Sequence, residues 1–447
     1  MVQHAPPHLV AAQADSAPAM TARSESVLAH GLREVAALGD GWGFPVILVI
    51  TVFAVLELTG VLALARGPRE PFAGDWMQLI YTGRFSEFLS IWQRWDALWY
   101  QHIAEQGYGL EAIAFFPLYP LIVSAVSLLV VGNTVLAGLI VSGVATTVSC
   151  YLAIRLLRLE LHRARESDRT VTEDAAAGET PRDRGVLFAA APVLAAALMV
   201  LFPTGFFLIA PFTESLFLLL CVAAFYFARR DQPWVAGALG FLASLTRIPG
   251  VFLGPALIFE NMRQRGTFEW LLRRGGRRPG VDVLAGFLPG VGGLGLILFQ
   301  AYVMGASRVG LDARSAWGYH ALPPWQAVYE SFRFVVDRGI GSGQGGIEAL
   351  NLAALVGFSA IALLGLRRLP FSYWLYAWPS LAVLLTRGMF FSPQMSTARL
   401  VLVIFPCFFV LAMWLAPRPR LAALVLVGSF VLQLVLFQYF VRWGFVG

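Results

Sequence analysis

The stretch FPVILVITVFAVLELTGVLALA, residues 44–65, decides the fold class. It carries a single charge, Glu57, and as a helix it rises about 33 Å, enough to cross the roughly 30 Å hydrocarbon core of a bilayer. Working outward, further apolar runs stand at 117–131, 134–157, 186–203, 213–228, 233–261, 282–303, 347–366, 371–387, 400–416 and 421–441. Over the 447 residues, 58% are hydrophobic and 13% charged, with mean hydropathy +0.69. A soluble domain averages about 45–50% apolar and about 25% charged residues. The composition excludes a water-soluble enzyme and a disordered chain. It predicts an all-α polytopic membrane protein.

The formal charge is +6, and every basic residue is arginine. The arginines punctuate apolar runs instead of lining one face, so nucleic acid is not an expected partner. Most of them fall in 155–184, 229–230, 263–278, 367–368, 418–420 and the first 43 residues, which places those segments in the cytosol. Parity then decides two runs. The 15 residues of 117–131 would span only about 22 Å, which predicts a non-spanning helix. The run 233–261 has arginines at both ends and must cross an even number of times, turning at Arg247-Ile248-Pro249-Gly250. The expectation is a bundle of about 11 transmembrane helices with the N-terminus cytosolic. Residues 1–43 form a mostly disordered cytosolic tail, and 44–447 one transmembrane domain. Within that domain, 66–133 is the first external loop and 158–185 a cytosolic linker loop. External segments are also expected near 203–213 and at 304–346, with the 388–399 turn beside them. Cys150, Cys221 and Cys407 lie scattered in apolar runs, too few for a disulfide framework. No nucleotide-binding loop, zinc or calcium spacing, or nucleophile elbow is present, so no metal site is expected.

The informative residues are those that break the apolar pattern. In FSEFLSIWQRWDALWYQHIAEQGY, residues 85–108, helical spacing lines up Phe85, Leu89, Trp92, Trp95, Trp99 and Ile103. That predicts an amphipathic helix at the membrane interface. Asp96 falls inside the stripe, where a carboxylate is costly unless paired or used. It is either an ion-pair partner of Arg94 or Arg84, or a catalytic acid held at the membrane surface. His102, on the edge of the stripe, is a hydrogen-bonded interfacial residue or a catalytic one. Glu111 precedes Ala114-Phe115-Phe116-Pro117-Leu118-Tyr119-Pro120 and is a solvated loop acid or a site residue. Glu214 opens an apolar helix, where an acid complements the helix dipole or serves a site. Glu57 lies mid-span with no partner evident in the sequence. Arg247 and Arg399 are cations where apolar residues are expected. Each either snorkels to the interface or clamps a phosphate.

The blocks Trp95-Asp96-Ala97-Leu98-Trp99-Tyr100, Ile103-Ala104, Gly107-Tyr108 and Ala114 to Pro120 resemble the PIG-V family of GPI mannosyltransferases and its bacterial relatives. Phe202-Pro203-Thr204, Thr213-Glu214-Ser215-Leu216-Phe217, Leu245-Thr246-Arg247, and Arg399-Leu400 before Phe405-Pro406 are similar to it in order and spacing. The resemblance covers about residues 45–415. It implies a GT-C-like integral-membrane glycosyltransferase with interfacial helices in its first external loop. It also implies a polyprenyl-phosphate sugar donor, usually mannose, and transfer on the extracytoplasmic face of the cell membrane. The arginine-only, Ala/Gly/Leu-rich usage looks bacterial, so a GPI acceptor is not carried over.

The expected partners are membrane lipids, polyprenyl-phosphate-mannose and a lipid or glycan acceptor, with no cofactor beyond that lipid-linked sugar. Asp96 is then the general base. Arg247 and Arg399 stabilise the leaving phosphate, Glu111 and Glu214 orient hydroxyls, and Trp95 and Trp99 offer stacking faces. The rivals are a lipid or solute transporter, which needs a polar path through the spans, and a non-catalytic membrane subunit.

Overall fold

The computed structural model describes residues 37–66, 86–109, 114–172, 188–304, 318–389 and 392–446, with Glu34 and Ala112. Glu111 and nearly all of the N-terminal tail lie outside the described residues.

The described chain is helical nearly throughout. In order come α1 (Gly43–Ala65), helical turns at Ser86–Leu89 and Ser90–Trp92, α2 (Asp96–Gln106), α3 (Leu118–Ser127) and α4 (Thr134–Thr172). Next are α5 (Ala191–Val200), α6 (Thr213–Arg229), α7 (Pro233–Ser244), α8 (Leu253–Gln264) and α9 (Leu288–Met304). The chain ends with α10 (Pro324–Arg338), α11 (Gly343–Leu364), α12 (Phe371–Leu385), the short α13 (Thr397–Leu400), α14 (Phe405–Leu415) and α15 (Pro419–Val441). Two three-residue strands, β1 (Tyr319–Ala321) and β2 (Arg387–Met389), pair antiparallel with His320 opposite Gly388.

Among the described residues, five helical stretches are long and apolar enough to cross a membrane: Gly43–Ala65, Thr134–Glu166, Val281–Tyr302, Gly343–Leu364 and Pro419–Val441. A sixth results if Thr397–Val403 and Phe405–Leu415, bent by 83°, count as one span. The remaining apolar helices are shorter, Leu118–Val130 among them. Wide apolar faces stay uncovered on the long helices, such as Ile47, Ile50, Leu58 and Leu62 on α1 and Leu424, Val427, Val431 and Val435 on α15. In water such faces would be costly, whereas lipid solvates them. The protein is an all-helical membrane protein.

Its core is built on α5, every residue of which is buried. Ala-rich, with β-branching only at Val193 and Val200, α5 lets α1, α4 and α14 approach closely around it. α6 packs on α4 and α7, α8 on α12, and α15 on α1. The run 233–261 breaks at the expected place: α7 ends at Ser244 and a 3-10 turn, Ile248–Phe252, leads into α8. A Cβ on Gly250 would fall 2.4 Å from the Ala243 carbonyl carbon, so only glycine admits this close return.

Two stretches differ from the sequence expectation. α4 runs through Thr172, so residues 158–172, expected in a linker loop, are helical. Residues rich in Leu, Arg and Glu sustain the helix there, with a His162–Glu166 pair one turn apart. Residues 86–106 do not form one amphipathic helix. The helix is interrupted at Gln93–Trp95, and α2 starts at Asp96. Trp92 is fully buried, not interfacial: it stacks near Phe53 and Phe437, and its indole N–H donates to Glu57 Oε2 at 2.8 Å. The first span thus tethers the first loop through the acid that had no evident partner.

Candidate active site

The interruption at Gln93–Trp95 is what presents Asp96. Trp95 adopts φ +55°, ψ −122°, a conformation that costs a non-glycine residue about 1–3 kcal/mol. Contacts with the C-terminal segment hold it there. The Trp95 ring meets Trp443 and Phe445 edge-on, and its N–H donates to the Gly444 carbonyl. Arg94, buried beside it, donates to the carbonyls of Val441 and Gln93 and lies 4.6 Å from the Trp443 ring. Asp96 therefore opens α2 with its side chain partly exposed.

Its partner is neither Arg94 nor Arg84 but Arg399, 303 positions away. Arg399 Nη1 donates to Asp96 Oδ2 at 2.7 Å, and Arg399 Nε donates to Glu214 Oε1. The same Glu214 oxygen accepts from Arg247 Nη1 at 2.5 Å, and Arg247 Nη1 also reaches Thr213 Oγ at 2.9 Å. Two acids and two arginines thus converge from α2, the start of α6, the α7–α8 break and α13. Arg399 lies over the rings of Phe207 and Phe212, with its guanidinium carbon 5.0 and 4.7 Å from their centres.

Exposure separates the roles. Side-chain exposure is 0% for Glu214, 5% for Arg399, 15% for Arg247 and 30% for Asp96. Glu214, shared by two guanidiniums in a dry setting, is the counter-ion that lets both arginines stay buried. Among the described residues, Asp96 has a single guanidinium contact and the most open face, so it is the carboxylate that can meet an incoming group. Arg247 Nε and Nη2 make no hydrogen bond among the described residues, which leaves donors for a further anion.

Asp96, Glu214, Arg247 and Arg399 are thus brought together. Trp99, three residues past Asp96, stacks on Phe115 at 5.3 Å. Trp95 is committed to the C-terminal segment. His102, six residues past Asp96, lies about 120° away around α2. Among the described residues, no group of three or more His, Cys, Asp or Glu could hold a metal ion. Sequence reasoning overlooked Phe207 and Phe212 beneath Arg399, and also Glu348 and Asn351, which grip the segment leading to it. For Glu348 the available signal was an acid at the start of the apolar run 347–366.

The family model described as Mannosyltransferase (PIG-V) matches residues 80–325, more than half of the chain. That match takes in Asp96, Glu214 and Arg247 and stops before Arg399. No curated protein and no solved structure matches.

Proposed function

The chain belongs to the PIG-V mannosyltransferase family, and from that premise we propose that it moves mannose from a polyprenyl-phosphate donor to a lipid or glycan acceptor on the extracytoplasmic face. The observation that carries this reading is the cluster itself: one accessible carboxylate paired with Arg399, which a buried acid, Glu214, links to a second arginine, Arg247.

An acceptor hydroxyl attacks the anomeric carbon while Asp96 takes its proton. The new bond joins the acceptor oxygen to that carbon, and the bond from the carbon to the phosphate oxygen breaks. The electron pair leaves with the polyprenyl phosphate. A single displacement of this kind inverts the anomeric centre. General-base help is typically worth about 10²–10⁴-fold. Arg399 and the spare donors of Arg247 face the charge that grows on the phosphate, where fixed cations in a dry site act most strongly. Glu214 keeps both arginines in register, and Trp99 offers an aromatic face beside Asp96. The polyprenyl chain stays in the bilayer while its head group meets α2.

Eleven crossings with a cytosolic N-terminus fit this scheme. They require several of the shorter helices to traverse the bilayer while Leu118–Val130 does not. The test is direct: purified protein is incubated with synthetic polyprenyl-phosphate-mannose carrying a labelled sugar and a membrane lipid extract. Labelled mannose in a new lipid or glycan, with release of polyprenyl phosphate, supports the proposal. An intact donor under conditions that keep the protein folded refutes it.

A further inference from the structure

Arg399 stands on a segment with no regular structure before it, yet side chains from elsewhere grip that segment's backbone. Building on the function proposed above, we propose that Glu348 and Asn351 of α11 are positioning residues that set Arg399 against Asp96. Glu348 is fully buried and accepts from two hydroxyls and a backbone amide. Its Oε1 accepts from the Gln394 backbone N–H at 2.9 Å and from the Ser331 hydroxyl of α10 at 2.5 Å, and its Oε2 accepts from the Ser392 hydroxyl. One helical turn on, Asn351 Oδ1 accepts from the Ala398 N–H at 2.9 Å, the residue just before Arg399.

The other side of the segment is held as well. The Thr204 hydroxyl donates to the Ala398 carbonyl at 2.8 Å, and Arg387 donates to the Met395 carbonyl and to Thr397 Oγ. Ser396 sits at φ +66°, in the left-handed region, a conformation that survives in a non-glycine residue when its surroundings over-determine it. A buried acid is costly in lipid surroundings unless it is put to use. Two hydrogen bonds from the segment before Arg399, with a third from Ser331 of α10, give it a task, since acceptors that carry charge bind donors about twice as strongly. Arg399 then touches Asp96 and Glu214 only if this segment holds its register.

The test measures kcat and KM for polyprenyl-phosphate-mannose with full-length protein carrying Glu348→Ala or Asn351→Ala, each on the wild-type and the Arg399→Lys background. A misplacement of about 1 Å can cost about 10²-fold in rate, so each variant is expected to lose about 10- to 100-fold in kcat on the wild-type background. On the Arg399→Lys background the same changes should cost less than about threefold, because residues acting through one shared group are not additive. Glu348→Gln, which keeps Oε1 as an acceptor, should lose less than Glu348→Ala. Folded variants with wild-type kcat, or equal proportional losses on both backgrounds, overturn the positioning role. A wild-type protein that transfers no mannose overturns the parent reading, and the positioning role with it.

Discussion

Replacing Glu214 by Gln keeps its size and one acceptor oxygen but removes the negative charge between two guanidiniums. Arg399 and Arg247, 5% and 15% exposed, would then face each other across a neutral amide. Removing one partner of a buried ion pair costs about 3–5 kcal/mol. Arg399 keeps Asp96 at 2.7 Å and Arg247 keeps Thr213 at 2.9 Å, so the loss should fall at the low end, about 3 kcal/mol. Asp96→Asn perturbs the same arginine from its open side. Asp96 is 30% exposed and makes one guanidinium contact among the described residues, so its removal should cost about 1 kcal/mol or less. A difference of about 2 kcal/mol corresponds to about thirtyfold in the unfolding equilibrium, at one decade per 1.36 kcal/mol. Unfolding in detergent, followed by tryptophan fluorescence, should therefore separate the two carboxylates, with Glu214→Gln clearly the weaker protein. Equal destabilisation of the two variants would refute the division between a structural counter-ion and an accessible base.

Other perturbations probe the scaffold. Trp92→Phe leaves the half-buried Glu57 without its N–H donor, and should cost about 1–3 kcal/mol in the same unfolding assay. Arg229 is bound by Glu160 and Glu260 with all three side chains buried, so Arg229→Met should cost about 3–5 kcal/mol. It lies about 22 Å along α6 from Glu214, so kcat and KM of the folded fraction should stay at wild-type values. Glu166→Cys, on the exposed end of α4, should react with an impermeant thiol reagent only after the membrane is opened. Reaction in intact cells would show that Leu118–Val130 crosses the bilayer.

The fold class was legible because lipid imposes one solution on a long apolar run, and residues 44–65 and 421–441 are such runs. The α7–α8 break was legible because Pro249 and Gly250 mark it. The break at Gln93–Trp95 was not: Phe85 to Ile103 keeps helical spacing straight through it, and only the C-terminal Trp443 and Phe445 reveal why Trp95 turns. Charges out of place marked Asp96, Glu214, Arg247 and Arg399 one by one. Their pairing was hidden, since Asp96 and Arg399 lie 303 positions apart and nearby Arg94 was the natural guess. Glu348 escaped notice for a related reason, because the backbone N–H it captures belongs to a segment 46 residues on.

The central claim is that Asp96 performs the proton transfer in mannosyl transfer from a lipid phosphate. The most direct measurement is the single-turnover rate with polyprenyl-phosphate-mannose of purified Asp96→Asn beside the wild type, both shown to be folded by their unfolding curves. The expected result is a loss of about 10²–10⁴-fold with little change in stability. A folded Asp96→Asn protein that transfers mannose at the wild-type rate would contradict it.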